Sequence, residues 1–324
     1  MAEIRYFQAV TQAIQEEMAR DERVFLFGED VGLVGGTFRC TEGLMAEFGS
    51  RRVRDTPIAE AAIVGLAIGS AMVGMRPIAE LMTMNFAIVA MDQIINHASK
   101  MRYMFGGNMH LPLVIRAPAG GGTQKAAQHS HCIESWFVNA PGIRVVIPST
   151  PYDVKGLLKT AIRSEDPVLF IEHEAIYNRK GEVPDEEYLL PFGVADIKRP
   201  GRDVTIVAWS RMVFEALKAA EVLAEEGIEC EVIDPRTLDP LDMDTILTSV
   251  LRTRRAVIVE EGWRNVGMGA ELAARIQEHL FYDLEAPVQR VAAADVPTPY
   301  ARNLEKLALP DADDVIEAVL KITL

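Results

Sequence analysis

The first residue that attracts attention for its chemistry is Glu60. It stands directly before the charge-free stretch 61–75, which also contains Gly65 and Gly69. An acid in the first turn of an apolar helix would be partly sheltered from water, where a carboxylate is suited to proton exchange. A solvated acid that only favours the helix dipole is the alternative. The pattern therefore makes Glu60 a candidate acid–base residue.

A second acid, Glu29, follows the apolar segment VFLF in the sequence GED (28–30). Open α/β sheets bind ligands at the carboxyl ends of their strands, which is where this pattern predicts Glu29. The glycine-rich segment VGLVGG (31–36) comes next. It matches neither GxGxxG nor GxxxxGK[ST] and is more typical of a tight turn than of a phosphate cradle.

The strongest local signal is RAPAGGG (116–122) followed by AAQHSHC (126–132). His129 and His131 are suited to proton transfer. A metal site with Cys132 is the alternative, but the spacing matches no usual zinc pattern and no second cluster of ligands follows. Cys132 by itself is more typical of a small buried residue.

One more segment carries candidate residues, the predicted helix 86–104. Phe86 begins it and Asp92 lies among apolar neighbours. An aromatic residue at helical spacing usually belongs to a core, and Asp92 could be a surface acid.

The composition limits the classes of function. The chain has 324 residues, 49% of them hydrophobic, which allows two domains with sizeable cores. A net charge of −14 opposes binding to nucleic acid and to anionic membranes and favours a basic protein partner. Stretch 61–75 is shorter than the roughly 20 residues of a membrane span.

The cysteines indicate the redox environment. Cys40, Cys132 and Cys230 lie far apart and form no CxxC pair, which favours a reducing compartment. We expect the cytoplasm, or the mitochondrial matrix or plastid if a targeting segment has been removed.

The elements that must position these residues alternate along the chain. Apolar runs typical of strands fall at 24–27, 77–81, 113–116, 145–147 and 168–171, with helical patterns at 8–19, 59–75, 86–104 and 151–164. Beyond a proline-rich and acidic stretch the alternation restarts, with strands at 204–208, 230–233 and 256–259 and helices at 211–226, 243–251 and 268–280. The pattern predicts an α/β fold of two doubly wound domains, 1–185 and 203–324, joined by a linker at 186–202.

An ordered set of motifs then identifies a family. It comprises GEDVG (28–32), TEGL (41–44), DTPIAE (55–60), RPIAE (76–80), AQHSH (127–131), DPRTLDPLD (234–242) and DVPTPYA (295–301). Together these resemble the β subunit of heterotetrameric, thiamine-diphosphate-dependent 2-oxo acid dehydrogenases, relatives of transketolase. The resemblance runs over essentially the whole chain. It implies a pyrimidine-binding domain with a mostly parallel sheet, followed by a smaller transketolase C-terminal-like domain.

The resemblance also implies a site shared with another polypeptide. In this family the α subunit holds the cofactor's diphosphate and Mg²⁺ through a GDG motif, which this chain lacks. The expected assembly is therefore an α₂β₂ heterotetramer that is active only with both chains. A lipoyl acyltransferase component would receive the acyl group derived from a 2-oxo acid.

The family's functional residues match particular positions of this chain. Glu60 matches the glutamate that bonds N1′ of the cofactor's aminopyrimidine, and Met82 and Phe86 match positions that pack against that ring. His129 matches a histidine at the channel for substrate and lipoyl group. Glu29 and Asp92 match acids along a proton passage between paired sites. A potassium ion is expected on the backbone carbonyls of Leu113, Ala161, Ser164 and Asp166.

The substrate and the docking surface are indicated by a few individual residues rather than by the family motifs. The pair Asn85-Phe86 favours pyruvate, while branched-chain members carry Asp-Tyr there and RYMFGG (102–107) is seen in acetoin enzymes too. A non-catalytic scaffold subunit is a further alternative, against which the presence of Glu60, Phe86 and His129 speaks. A basic domain of the acyltransferase is expected to dock on an acidic surface formed by Asp295, Glu305, Asp311, Asp313, Asp314 and Glu317.

Overall fold

The computed structural model describes residues 1–323. The chain forms two compact units, the first made of residues 1–119 and 136–192 and the second of residues 120–135 and 193–323. The segment 120–135, which we expected in the first domain, is grouped with the second unit. Each unit has its own sheet with helices packed on it, so the predicted fold class of two α/β domains is confirmed.

The first unit is built on a parallel sheet. Its strands lie in the order β6–β7–β5–β4–β2–β3, where the bounds are β2 (Val24–Gly28), β3 (Val53–Asp55), β4 (Arg76–Glu80), β5 (Val114–Ala119), β6 (Arg144–Val146) and β7 (Val168–His173). Every residue of β4, β5 and β7 is buried, as expected for strands covered on both faces. A separate antiparallel pair joins β1 (Ala2–Arg5) to β8 (Lys180–Val183).

Six helices lie between or beside these strands in the sequence, and those at 6–20, 44–48, 60–72 and 151–163 contact the sheet. Their bounds are α1 (Tyr6–Arg20), α2 (Leu44–Phe48), α3 (Glu60–Met72), α4 (Met101–Met104), α5 (Glu134–Val138) and α6 (Pro151–Arg163). Helix α6 begins as its sequence predicts, because the Thr150 side chain accepts a hydrogen bond from the backbone N–H of Asp153 at 3.1 Å. Helices α1 and α6 pack together, and Lys155 and Lys159 of α6 both form ion pairs with Glu16 of α1.

The predicted helix 86–104 is wrong in form. The structure has a 3₁₀ turn (Met84–Ile88), a π-helical segment (Asp92–Ala98) and then α4. The Thr83 side chain accepts a bond from the N–H of Asn85, which tightens the first turn. In the second segment the N–H of Ser99 donates to the carbonyl of Ile94, at the five-residue spacing of a π-helix. Apolar periodicity alone does not distinguish these windings from an α-helix.

The second unit repeats the plan on a smaller sheet. Its strands are β9 (Asp196–Arg199), β10 (Val204–Ala208), β11 (Cys230–Asp234), β12 (Thr237–Asp239), β13 (Ala256–Trp263) and β14 (Gln289–Ala293), and five of them lie in the order β14–β13–β10–β11–β9. Strand β9 is antiparallel to β11 and falls inside the predicted linker. The sequence did not predict this strand, because its charged residues interrupt the apolar pattern. The helices are α7 (Met212–Glu225), α8 (Met243–Thr253), α9 (Met268–Leu280), α10 (Arg302–Ala308) and α11 (Ala312–Thr323).

No helix in residues 1–323 has the length and apolar character needed to cross a bilayer. Cys40, Cys132 and Cys230 are free thiols in this structure.

Candidate active site

Glu29 lies at the carboxyl end of β2, where the sequence predicted it. The preceding residue, Gly28, pairs in register with Glu80 of β4. A Cβ atom at position 28 would come within 2.6 Å of the Glu80 carbonyl oxygen, so the close approach of the strands requires glycine. The Glu29 side chain is buried, and its Oε1 has no hydrogen-bond partner among residues 1–323. A buried oxygen without a partner is costly, and a water, an ion or a further group can satisfy it.

Glu60 is the first residue of α3 and is also buried. Among residues 1–323 no side-chain hydrogen bond caps this helix, and Glu60 is the acidic residue of its first turn. Burial first, and then the negative charges of Glu60 and Asp30, raise the pKa of Glu29. The charge of Glu60 thus acts on Glu29, although the two residues are 31 positions apart in the sequence. Their roles remain predictions.

The other predicted site residues of the first unit lie on the segment after β4. Met82 and Phe86 are half-buried, and Phe86 belongs to the 3₁₀ turn. The π-helical segment packs against α3, with Gln93 about 4.0 Å from the position of a Cβ on Gly65. Within residues 1–323 the buried Gln93 Oε1 has no hydrogen-bond partner.

Asp92 has a different environment. It is exposed, accepts a hydrogen bond from the Asn96 amide at 2.7 Å and lies 3.5 Å from His97. A cleft of about 450 Å³ opens beside it, lined by Met91, Asp92, Ile95, Asn96, Lys100, Trp136, Asn139, Ala140 and Pro141. In residues 1–323 no hydrogen bond or ion pair joins Asp92 to Glu29 or Glu60. Its part in a proton passage thus stays a prediction.

A buried cluster of charged residues lies next to β2, because one member, Glu80, pairs in register with Gly28. The sequence analysis did not predict this cluster. Arg116 of β5 donates from Nε and Nη2 to the two oxygens of Glu172 on β7, at 2.7 and 2.6 Å, and from Nη1 to Glu80. The Tyr177 hydroxyl donates to Glu172 at 2.8 Å. Burial raises the pKa of Glu80 to about 7; Arg116 acts to lower it, whereas the charges of Glu172 and Glu29 raise it further. The sequence did contain a signal for the cluster, because Glu80, Arg116 and Glu172 are charged residues within otherwise apolar strands.

His129 belongs to the second unit, on the loop 120–135, where it is exposed. Two acids of that unit hold this loop through its backbone. Glu261 accepts from the N–H of Gly121 at 2.6 Å, and Glu305 accepts from those of Gly122 and Gln124 at 2.9 and 3.1 Å. The prediction of Glu305 as part of an acidic surface is therefore wrong, because its carboxylate is buried against the loop.

His131 and Cys132 on the same loop face the interior of the second unit. The His131 ring meets Trp263 edge to face at 5.2 Å, and burial lowers the pKa of His131. Burial also raises the pKa of the Cys132 thiol, which opposes its use as a nucleophile. Within residues 1–323 no three His, Cys, Asp or Glu residues come together as a metal site.

The carbonyls predicted to bind potassium lie within the first unit. Each accepts at least one hydrogen bond: Leu113 from the N–H of Val168, Ala161 from that of Ser164, Ser164 from Arg76 and Asp166 from the Ser164 hydroxyl. A carbonyl oxygen has a second lone pair, so these bonds leave cation binding feasible. The potassium site stays a prediction.

Comparison with known proteins identifies both units. Residues 2–180 match the model of the transketolase pyrimidine-binding domain, and residues 193–315 match that of the transketolase C-terminal domain. The chain is similar to a solved split-gene transketolase, described as an inactive β₄ tetramer, with a TM-score of 0.78 and 28% identity over 99% of this chain and 98% of that one.

Curated relatives agree over the full length. The chain is 46% identical to the mitochondrial pyruvate dehydrogenase E1 β subunit of Dictyostelium discoideum, covering 99% of this chain and 91% of the relative. It is 49% identical to the corresponding subunit of Rickettsia felis over 97% of each chain. It is 47% identical to the 2-oxoisovalerate dehydrogenase β subunit of Bacillus subtilis over 99% of each. The chain belongs to the transketolase-like E1 β subunits of 2-oxo acid dehydrogenase complexes, as its motifs predicted.

Proposed function

We propose that this chain is the β subunit of a thiamine-diphosphate-dependent pyruvate dehydrogenase E1 component, which decarboxylates pyruvate and acylates a lipoyl group together with an α subunit. The observation that carries the proposal is the pair of buried acids, Glu29 and Glu60, at the carboxyl end of β2 and the start of α3 in a pyrimidine-binding domain. Pyruvate is favoured by the names of most relatives and by the pair Asn85-Phe86.

The residues present fit the pyrimidine half of this cofactor. Three buried side-chain oxygens of the first unit, Glu29 Oε1, Thr56 Oγ1 and Gln93 Oε1, have no hydrogen-bond partner within residues 1–323. Met82 and Phe86 offer half-buried apolar surface for a ring. When bound, thiamine diphosphate supplies the carbon that adds to a 2-oxo acid and the electron sink for loss of CO₂.

The chain's own contribution is proton handling at a sheltered carboxyl group. Glu60 would hold and return a proton at N1′ of the aminopyrimidine through a charge-assisted hydrogen bond. Glu29 keeps its proton to a higher pH than an ordinary glutamate because it is buried beside the charge of Glu60. A neighbouring acid with such a raised pKa can replenish Glu60, and Asp92 would extend this exchange toward the surface.

His129 would act later, in the transfer to the lipoyl group. Its imidazole is exposed on a loop that Glu261 and Glu305 hold by the backbone, an arrangement suited to an incoming arm. We infer that it supplies a proton to the lipoyl sulfur as the acyl group is transferred.

The partners follow from what this chain lacks. An α subunit would hold the diphosphate and Mg²⁺, giving an α₂β₂ heterotetramer, and K⁺ would brace the end of α6 through the carbonyls named above. The lipoyl acyltransferase component would dock on the acidic surface, now without Glu305. Its remaining members, Asp295, Asp311, Asp313, Asp314 and Glu317, are exposed, and we expect added salt to slow this docking. Relatives include bacterial and mitochondrial proteins, and we expect a compartment within that range.

A branched-chain 2-oxo acid is the second candidate substrate, because the Bacillus subtilis relative named above is a 2-oxoisovalerate dehydrogenase subunit. One or two methylene groups in a pocket change discrimination by only about 1–3 kcal/mol, so a few residues decide the choice. Co-expression with the α subunit and a panel of pyruvate, acetoin and branched-chain 2-oxo acids, with an artificial electron acceptor, tests the substrate. Preference for acetoin or for a branched-chain acid would refute the pyruvate assignment, and a lack of turnover with any substrate would support a scaffold subunit.

Glu60→Gln tests the chemical step. In the assembled α₂β₂ enzyme, we expect hydrogen–deuterium exchange at C2 of the cofactor to fall by orders of magnitude while light scattering reports an unchanged mass. Glu47→Gln, at an exposed acid of α2, is the matched control. Undiminished exchange in Glu60→Gln would refute the proposed role.

A further inference from the structure

The ion cluster of Glu80, Arg116, Glu172 and Tyr177 plays no part in the mechanism above. It lies on the adjacent strands β4, β5 and β7, and register pairs Glu80 directly with Arg116. Arg116 and Glu172 are almost completely buried, and Glu80 is only 5% exposed. One guanidinium faces two carboxyl groups, so if both were ionised the cluster would carry an unbalanced negative charge in the interior. Such a charge is costly away from water.

The hydrogen bonds show which acid is the matched partner of the arginine. Glu172 accepts hydrogen bonds from Nε and Nη2 of Arg116 and from the Tyr177 hydroxyl. These bonds stabilise the ionised form of Glu172. Among residues 1–323, Glu80 receives one hydrogen bond, from Arg116 Nη1. The surplus proton of the cluster therefore belongs on Glu80 rather than on Glu172.

Glu80 is also the member of the cluster that adjoins the candidate active site. It pairs across the sheet with Gly28, the residue before Glu29. The charge of Glu29 acts on Glu80, and the charge of Glu60 acts on Glu29. Glu60, Glu29 and Glu80 thus form a series of acids in which each member interacts with the next.

We propose that Glu80 is a positioning residue that stores a proton beside Arg116 and so keeps a further negative charge away from the Glu29–Glu60 pair. This inference rests on the proposed function for its catalytic consequence. The groups that face Glu80 are Arg116, Glu172, Glu29 and the thiol of Cys40, with the phenols of Tyr6 and Tyr177 behind Glu172. Of these, only Arg116 is cationic.

Glu80 and Glu29 are coupled through the charge of Glu29. The Glu80 pKa of about 7, raised chiefly by burial, places both states of Glu80 within reach near neutral pH. A protonated Glu80 is neutral and lets Glu29 ionise more readily. Once Glu29 is ionised, its negative charge makes Glu80 retain its proton to a higher pH. Glu29 can therefore ionise without a second negative charge beside it.

Infrared spectroscopy of the α₂β₂ protein with ¹³C-labelled glutamate tests the stored proton without any turnover. We expect a protonated-carboxyl C=O band that is lost as the pH rises from about 6 to about 8, a window that brackets the pKa of Glu80. Glu80→Gln should remove this band. Glu16→Gln should leave it, because Glu16 is paired with Lys155 and Lys159: burial acts to raise the pKa of Glu16, but the two lysines together hold it below the usual range. Absence of a titrating band in the unaltered protein would overturn the proposal.

The coupling is tested on the Glu80 band in Glu29→Gln. This variant removes the charge of Glu29, so the midpoint of the Glu80 band should move to lower pH. Glu29→Asp, which keeps an acid, should restore the unaltered midpoint in part. An unmoved midpoint in Glu29→Gln would show that the stored proton is not coupled to the pair and would overturn the proposal. If the unaltered enzyme showed no C2 exchange, the proposed function would fail, and the Glu80 band would still decide the role of Glu80.

Discussion

Removal of the Glu305 carboxylate should loosen the loop that carries His129. Glu305 lies on α10 and is only 2% exposed. It accepts hydrogen bonds from the N–H groups of Gly122 and Gln124 at 2.9 and 3.1 Å. In Glu305→Ala both donors would lose their partner, and the loop must either bury them unpaired or open to water.

The size of the effect follows from these two bonds. A hydrogen bond to a charged group contributes about 1.5–3 kcal/mol, so the gross loss is about 3–6 kcal/mol. Gly122 and Gln124 are both exposed, and water can replace much of the lost bonding. We therefore expect the opening of the loop to become easier by about 2 kcal/mol, which corresponds to amide exchange on the order of 30-fold faster. Glu305→Gln keeps a neutral acceptor, and roughly half the effect is expected.

Hydrogen–deuterium exchange of the amides of residues 121–131, resolved by mass spectrometry of the α₂β₂ protein, measures this opening. Glu317→Ala, at an exposed acid of α11, is the matched control and should leave these amides unchanged. Loop exchange in Glu305→Ala equal to that in the control would refute the anchoring argument. Accelerated exchange throughout the second unit would indicate global destabilisation instead.

Three further outcomes are expected. The pKa of Glu80 is raised from 4.5 to about 7, which corresponds to about 3 kcal/mol of the free energy of unfolding. This contribution is complete below pH 4.5 and is lost as the pH rises through about 7. Chemical denaturation of Glu80→Gln should therefore show a flatter dependence of stability on pH, and an unchanged dependence would contradict the argument. Thr150→Ala removes the N-cap bond to Asp153 and should lower the free energy of unfolding by about 1 kcal/mol, whereas Thr150→Ser should lose much less. His129→Ala should slow acyl transfer to a lipoyl domain more than decarboxylation with an artificial acceptor, and equal losses would place His129 in the earlier step.

Local sequence predicted the elements whose determinants lie within a few residues. The apolar runs of β2, β4, β5 and β7, and the cap of α6 at Thr150, need only neighbours along the chain, and the structure has them close to the predicted bounds. The position of Glu29 at the end of a strand and of Glu60 at the start of a helix also follows from local pattern. The family was identified from the order of several motifs over the full length of the chain. A single motif would not have been specific enough.

Tertiary structure decided which of these residues meet. Arg116 and Glu172 are 56 positions apart in the sequence, and Gly122 and Glu305 are 183 positions apart. Local sequence patterns do not predict partners at such separations. An acid near the C-terminus therefore looked like part of a solvated surface, whereas folding buries Glu305 against loop amides that need an acceptor. Likewise the charge in each apolar strand was visible in the sequence. Only the alignment of β4, β5 and β7 leaves one arginine between two acids, because strand order and register determine which side chains share the same buried space.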